Sequence, residues 1–249
     1  MTIACKWNWH NTGHQVWYDK STFETLKTTY PLYFYEDFTG AAGGSVIDNT
    51  MIWHFVDVAG ATEAIVASSS GGVFRLYLND GLAELEDAVL YQNDNRTFDV
   101  HNGLIFETKI DVAVLPTLTA EVVWGMAGDY AAINDDVAES CWFKLDGSGA
   151  VVVENDDTAA GHTNDDVATG VTAVPGTANV YRIDFTTMTD VKFFIDGVRV
   201  AASTTFDMST LAAAGTAILQ PYFNLNKDVD NGAGTVDIDY VKIWSNRST

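Results

Sequence analysis

The residues with the most chemical potential in this chain are its carboxylates, 34 Asp and Glu among 249 residues. Two carboxyl groups on one strand face, held about 5–5.5 Å apart, can cleave a glycosidic bond, one as nucleophile and the other as acid. Glu84, Glu86 and Asp87 form one close run, Glu107 and Asp111 a second, and Asp237 and Asp239 a third. In a chain this acidic, carboxylates two apart arise often by chance, and a solvated strand face accounts for Asp237 and Asp239. Metal chemistry has thinner support. His10 and His14 stand four apart and would share a helix face, yet no Glu or Cys accompanies them at ligand spacing. Asp228 and Asp230, followed by Gly232, supply two hard oxygen ligands and a turn residue, part of a calcium loop without its closing Glu. An Asn231-Gly232 hairpin turn explains the same residues with fewer assumptions. The Asn93-Asp94-Asn95 run and the Asp-rich stretch near Asp165 read the same way. Calcium is therefore the one cofactor candidate, and none is required. No Gly-x-Ser-x-Gly elbow, Gly-rich phosphate loop or Cys-x-x-Cys pair is present.

The elements that would position these groups are strands. From Leu32 to Trp244, thirteen short runs rich in Val, Ile, Phe, Tyr and Thr are separated by Gly, Asn and Asp, which predicts an all-β, two-sheet antiparallel sandwich. Asp196-Gly197 can supply the positive φ angles of a tight hairpin. In the last run Val236, Ile238 and Tyr240 alternate with Asp237 and Asp239, the period of a strand with one buried face. Only Asp207 to Ala214 suits a short helix, capped by Asp207 or Ser209. The polar stretch from Asn155 to Gly176 is expected to be a mobile loop, because it has little to bury. Trp53, Trp124, Trp142 and Trp244 sit inside strand runs and are expected in the core. Tyr130 follows Gly128 and Asp129 in a loop and is the aromatic best placed to meet a sugar.

The formal charge of −21 argues against a nucleic-acid partner, because phosphate recognition needs clustered Lys and Arg. No basic start followed by an apolar run marks a signal peptide, and no apolar run is long enough to span a bilayer, so the expectation is a chain made in the cytoplasm with no membrane partner. Cys5 and Cys141 are too few and too far apart for a disulfide framework, and Cys141 is expected as a buried thiol. Residues 1–30 differ from the rest. They hold Trp7, Trp9, Trp17 and Tyr18 without evident strand and turn rhythm, and three lysines against one Asp and one Glu give them a net +1. Such a segment can dock on an acidic neighbour with Trp7, Trp9, Trp17 and Tyr18 as interface anchors, or fold back on its own sandwich. The expected organisation is an arm, 1–30, and a sandwich, 31–249.

The ending, a Phe193-Phe-Ile-Asp-Gly-Val198 hairpin and then Val236-Asp-Ile-Asp-Tyr-Val-Lys-Ile-Trp244, resembles the concanavalin A-like lectin/glucanase superfamily of jelly-roll sandwiches. That resemblance implies a jelly roll with an N-terminal extension. Its glucanase branch carries Glu-x-Asp-x-x-Glu or Glu-x-Asp-x-Glu along one strand, and this chain has neither: the run at Glu84 has the wrong order and Glu107 to Asp111 lacks a third carboxylate. The middle of the chain, in Gly81 to Tyr91, Phe98 to Lys109, Val123 to Gly128, Cys141 to Gly147 and Tyr181 to Phe185, resembles structural proteins of tailed bacteriophages. That resemblance implies a non-enzymatic virion component, a capsid decoration or head fibre. Its partners would be the major capsid protein or other virion proteins and further copies of itself. The alternatives are a glycan-binding adsorption module that meets surface glycans and, behind it, a glycoside hydrolase with displaced carboxylates.

Overall fold

The computed structural model describes residues 5–9, 15–19, 25–27, 32–39, 53–66, 71–79, 81–214 and 217–245, with the backbone alone for the first three segments and for 212–214. Strands β1 (Cys5–Trp9), β2 (Gln15–Asp19) and β3 (Thr25–Lys27) form a small antiparallel sheet of their own. The expectation of a segment without strand rhythm is corrected here. Cys5, Trp7 and Trp9 do alternate with Lys6 and Asn8, and β1 pairs with β2 in unbroken register from Cys5 with Asp19 to Trp9 with Gln15.

Two larger sheets follow. The first holds, in order, β17 (Val198–Val200), β16 (Lys192–Ile195), β15 (Asn179–Asp184), β10 (Ile105–Val114), β19 (Gly234–Ser245), β7 (Phe74–Leu78) and β6 (Thr62–Ile65), with β4 (Leu32–Glu36) also on β19. The second holds β14 (Asn164–Thr172), β13 (Ala150–Asp156), β12 (Ser140–Leu145), β11 (Glu121–Ala127), β18 (Ile218–Asp230), β8 (Glu84–Tyr91) and β5 (His54–Val58), with β9 (Phe98–Asp99) on β18. All pairings are antiparallel, and neighbours such as β10 with β19 and β11 with β18 are far apart in sequence, as a two-sheet jelly roll requires. Among the described residues the one α-helix, α1 (Ser209–Ala214), begins where the Asp207 carboxylate accepts from the Ser209 N–H at 2.8 Å. Among the described residues no helix is long and apolar enough to cross a membrane.

The core lies between the sheets. Alternate residues of β11 and β12 (Trp124, Phe143) reach across to alternate residues of β15 and β16 (Tyr181, Phe193), with ring centroids 4.9 Å apart for Trp124 and Tyr181 and 5.2 Å for Phe143 and Phe193. Each such ring, taken from water to full burial, stabilises the fold by roughly 1.5–3 kcal/mol. Cys141 lies in the same layer as a buried thiol outside any disulfide, and burial pushes its pKa up. The predicted Asp196-Gly197 turn is present, with φ of 49° and 74°, and the Asp196 carboxylate accepts from Val180 N and Asn179 Nδ2.

Three expectations change. The stretch from Asn155 to Gly176 is largely strand β14, the edge of the second sheet. Val167 and Val171, four residues apart among polar neighbours, pack against the core, a period-two signal diluted by the Asp, Asn and Gly between. In β19 the register shifts so that Lys109 faces Tyr240 while Ile110 faces Ile238, leaving Asp239 as a bulge. Val236 and Ile238 stay in the core, but Tyr240 turns to the outer face beside Lys242. Trp244 is buried, yet it pairs with Ile105 outside the main core, because that bulge sets the face of every residue after it.

Candidate functional site

The outer face of the second sheet gathers most of the unusual chemistry. Trp142 on β12 lies parallel to Tyr222 on β18 (centroids 5.9 Å apart, interplanar angle 25°), and Tyr222 meets Tyr91 of β8 edge-on at 6.3 Å. Gly125 of β11 makes room for this: a Cβ there would collide with the Cys141 carbonyl and the Trp142 backbone. The 12 residues from 128 to 139, joining β11 to β12, form a strap across the face. The strap is tied at several points: the Arg96 guanidinium meets Asp129 at 2.7 Å, the Tyr130 N–H donates to Asp94 at 2.8 Å, and Asn134 Nδ2 donates to Glu121 at 2.7 Å. Beneath it, the Tyr130 hydroxyl donates to Oδ2 of Asp87 at 2.5 Å. Asp87 is buried, and burial raises its pKa to about 6 although the bond from Tyr130 opposes the shift.

At the far side of the face Glu154 of β13 sits in a denser knot. Its Oε2 accepts from the Trp142 indole N–H at 2.8 Å, and its Oε1 accepts from Lys144 at 3.0 Å. Lys144 also stands 3.5 Å from Asp166 and 3.8 Å from Glu121, so one ammonium serves three carboxylates. Burial raises Glu154 to about 7; the bonds from Trp142 and Lys144 pull the other way, and the Asp165 carboxyl adds to the rise. Burial also works against the charge of Lys144, but Glu154, Glu121 and Asp166 outweigh it and hold that pKa above its ordinary value. An open groove of about 240 Å³ adjoins the knot, lined by Trp142, Glu154, Asp165, Asn134 and Asp135 among others. Oxygen atoms of Glu154, Asp165 and Asp166 lie within 4.8 Å of one another and could hold a cation. A second group, Asp157, His162 and Asp207, meets the same criterion. There His162 Nδ1 is 2.9 Å from Asp157 and Nε2 is 3.7 Å from Asp207, so the imidazole is set between two carboxylates.

For hydrolysis the geometry is unfavourable. Asp87 and Glu154 stand on strands separated by β12, β11 and β18, about 19 Å at the usual strand spacing, far beyond a retaining pair. Glu154 does have carboxylate neighbours close by, but both its oxygens already hold donors, and neither is free to protonate a leaving group.

The residues singled out from the sequence are scattered. Asp237 and Asp239 face Arg75 and Lys109 on the first sheet at 2.6 and 2.8 Å. Glu86 forms a buried pair with Lys227 at 3.1 Å, at the mouth of the turn after β7. Asp230 accepts from Thr119 and from Gly232 N, the bonding of a turn, while Asp228 lies beside it with its N–H on Thr119 Oγ1. Tyr130 is half-buried, its ring 5.5 Å from Tyr91. Trp7 and Trp9 stand on β1 and Trp17 and Tyr18 on β2, in the small sheet, while His10 and His14 lie outside the described residues. Sequence reasoning missed Lys144 and Glu154, and weighed the stretch that holds Asp165 and Asp166 only as a weak calcium loop. One signal was available: Trp142 and Lys144 alternate with Cys141, Phe143 and Leu145, so a Trp and a Lys share the face opposite the core.

No family model matches the chain, and no curated protein matches it in sequence. Solved structures do. An endo-1,3-beta-glucanase from Streptomyces sioyaensis aligns with 90% of this chain and 100% of its own, with a TM-score of 0.60 and 15% identity. A carbohydrate esterase of the Shiga toxin-encoding bacteriophage phi24B covers 88% of this chain and 99% of its own, with a TM-score of 0.51 and 16% identity. The carbohydrate recognition domain of Emp47p covers 86% and 95%, with a TM-score of 0.54 and 10% identity. At these identities the likeness is one of fold. The chain has the concanavalin A-like jelly roll on which glucanases and lectin domains are both built.

Proposed function

We propose that this chain is a non-catalytic jelly-roll component of a tailed-phage particle, carried on the capsid surface, with residues 1–30 as its attachment. The observation that carries the non-catalytic part is the commitment of the buried carboxylates on the outer face. Asp87 is bonded to the strap, Glu154 to Trp142 and Lys144, and the two are too far apart to act as a pair. The particle assignment draws on the resemblance of the middle segments to phage structural proteins. The separate sheet formed by β1, β2 and β3, whose strands pair only with each other among the described residues, supports an arm distinct from the sandwich. The test is co-sedimentation of the full-length chain with purified capsids, alongside a variant with Trp7, Trp9, Trp17 and Tyr18 all changed to Ala. The expected result is binding by the first and loss in the second. Hydrolysis of any glucan by the full-length chain would overturn the reading.

A second reading is favoured by the groove beside Trp142, whose surplus of oxygen acceptors suits the hydroxyl donors of a saccharide. In that case the module would serve adsorption to a glycan-coated surface, and a glycan array probed with the full-length chain would return a defined set of ligands whether or not capsids bind.

A further inference from the structure

The outer face of the first sheet is covered over one half and open over the other. In β10 and β19 the side chains of Phe106, Val241 and Ile243 enter the core, so Ile105, Glu107, Lys242 and Trp244, which alternate with them, stand on the far side. Ile105 is level with Trp244 on one side and with Asp184 on the other, which extends the row onto β15. Ile105 and Trp244 are both 0% exposed, and Glu107, Asp184, Tyr240 and Lys242 around them are buried as well. On the same face Tyr33 and Tyr35, level with Trp244 and Lys242, are 52% and 46% exposed, and Tyr77, toward the start of β19, is 38% exposed. In-plane neighbours alone cannot close a tryptophan on the outside of a sheet off from water; a layer above it must. The second sheet cannot be that layer, because it lies across the core.

The chain enters the sandwich beside this covered row. Leu32 pairs with Ser245 and Tyr33 with Trp244, and only residues 28–31 separate β4 from β3. From Lys27 to Leu32 the backbone reaches at most about 17 Å, and one sheet packs on another at about 10 Å, so the tether holds the small sheet within reach of Trp244 and Ile105. That sheet has reason to pack. Among the described residues its strands bond only to one another, and three strands as short as these are too few to build a core of their own. Its register sets Trp7 opposite Trp17, and period two places Trp9 on the same face as Trp7.

We propose that the small sheet of β1, β2 and β3 lies on the outer face of the first sheet as a third layer of the sandwich, with the face of Trp7, Trp9 and Trp17 against Ile105 and Trp244 of its own chain. This goes beyond the proposed function and holds whether or not the chain binds a capsid. One consequence does rest on that function: with residues 1–30 as the attachment, the first sheet faces the particle, and the strap and groove of the second sheet face away from it.

Hydroxyl-radical footprinting of the full-length chain, read by mass spectrometry, tests the seat without any capsid. Trp244 is expected to be modified as slowly as Trp124 of the core, while Tyr33 is modified readily. In the full-length Trp7→Ser, Trp17→Ser variant, Trp244 is expected to lose its protection and Trp124 to keep it. A second measurement places a protease site within residues 28–31 and cuts the folded chain there; residues 1–27 are expected to co-elute with the sandwich in gel filtration, and this result decides if the variant loses protection at Trp124 too. Ready modification of Trp244 in the parent chain overturns the proposal, as does protection that survives in the variant or release of residues 1–27 on cleavage. Protection of Trp244 that vanishes on dilution, together with the mass of a dimer, would put the small sheet of a second copy on this face and overturns the seat within one chain.

Discussion

On the outer face of the first sheet, carboxylates and cations come in matched sets. Asp237 holds Arg75 through two bonds of 2.6 and 2.7 Å, Asp239 meets Lys109 at 2.8 Å, and Glu107 accepts from Tyr240 at 3.1 Å with Lys242 at 3.7 Å. On the outer face of the second sheet, Lys144 alone answers Glu121, Glu154 and Asp166, while Asp87 has a tyrosine in place of a cation. Both faces come from the same period-two alternation. The first uses it to set most carboxylates beside a cation, with Asp111 opposite Asp237 sharing Arg75, and the second leaves buried carboxylates in excess and covers part of them with a strap. An imbalance that costs stability marks the face where a ligand has something to gain.

The contrast can be broken most sharply at its cations. Lys144→Met should destabilise the chain by about 3–5 kcal/mol in urea denaturation at pH 8, since a buried carboxylate loses its only ammonium. Lys109→Met, on the more exposed pair of the first sheet, should cost under about 1 kcal/mol. Equal losses would show that the two faces do not differ as described. The Lys144→Met penalty should also shrink by pH 5, where Glu154, raised to about 7, takes up a proton and needs no partner.

Tyr130→Phe comes next. It removes the donor to buried Asp87 and should cost about 1–3 kcal/mol, more at pH 8 than at pH 5. A smaller effect, read as the slope of stability against pH, sharpens the electrostatic side of the comparison. Asp87 is raised from 3.8 to about 6, so the folded chain binds more protons than the unfolded one in that interval, and stability should fall as pH rises through it. Asp87→Asn should flatten that slope, and Asp237→Asn on the first sheet should leave it in place.

The smallest expected change lies beside the second sheet, at the loop into β14. The hydrogen bond to Asp157 raises His162 above its ordinary value, and Asp157 itself is lowered by His162 against the opposing effect of burial. The His162 contribution is complete below its unfolded pKa and is lost as pH rises through the folded value; the Asp157 contribution is lost as pH falls. The clamp is therefore strongest between about pH 4 and 6.5. His162→Gln should lower the melting temperature most within that window and least at pH 9, and a uniform loss at every pH would remove the imidazolium from the account.

The strand runs from β4 to β19 were largely legible because period two survives wherever a face is fully buried, as in Cys141, Phe143 and Leu145. Strand β14 was illegible because only Val167 and Val171 reach the core from an edge strand, and Asp and Asn around them read as loop. The knot was illegible for a different reason. Lys144, Glu154 and Asp166 are separated by ten and twelve residues, and nothing in their spacing shows that β12, β13 and β14 lie side by side, with Trp142 opposite Glu154, Lys144 diagonal to it and an irregularity of β14 beside it.

By itself the sequence determined the fold class, the tight Asp196-Gly197 hairpin, the buried Cys141 and the lack of a carboxylate triad along any one strand, because each is written in local alternation, turn chemistry or a short motif. Tertiary structure alone decided which carboxylates share a cation, that a bulge at Asp239 sends Tyr240 and Trp244 to the outer face, and that the strap brings Tyr130 onto Asp87. Those outcomes depend on register between strands far apart in the chain, and a shift of one residue reverses the face of every side chain beyond it.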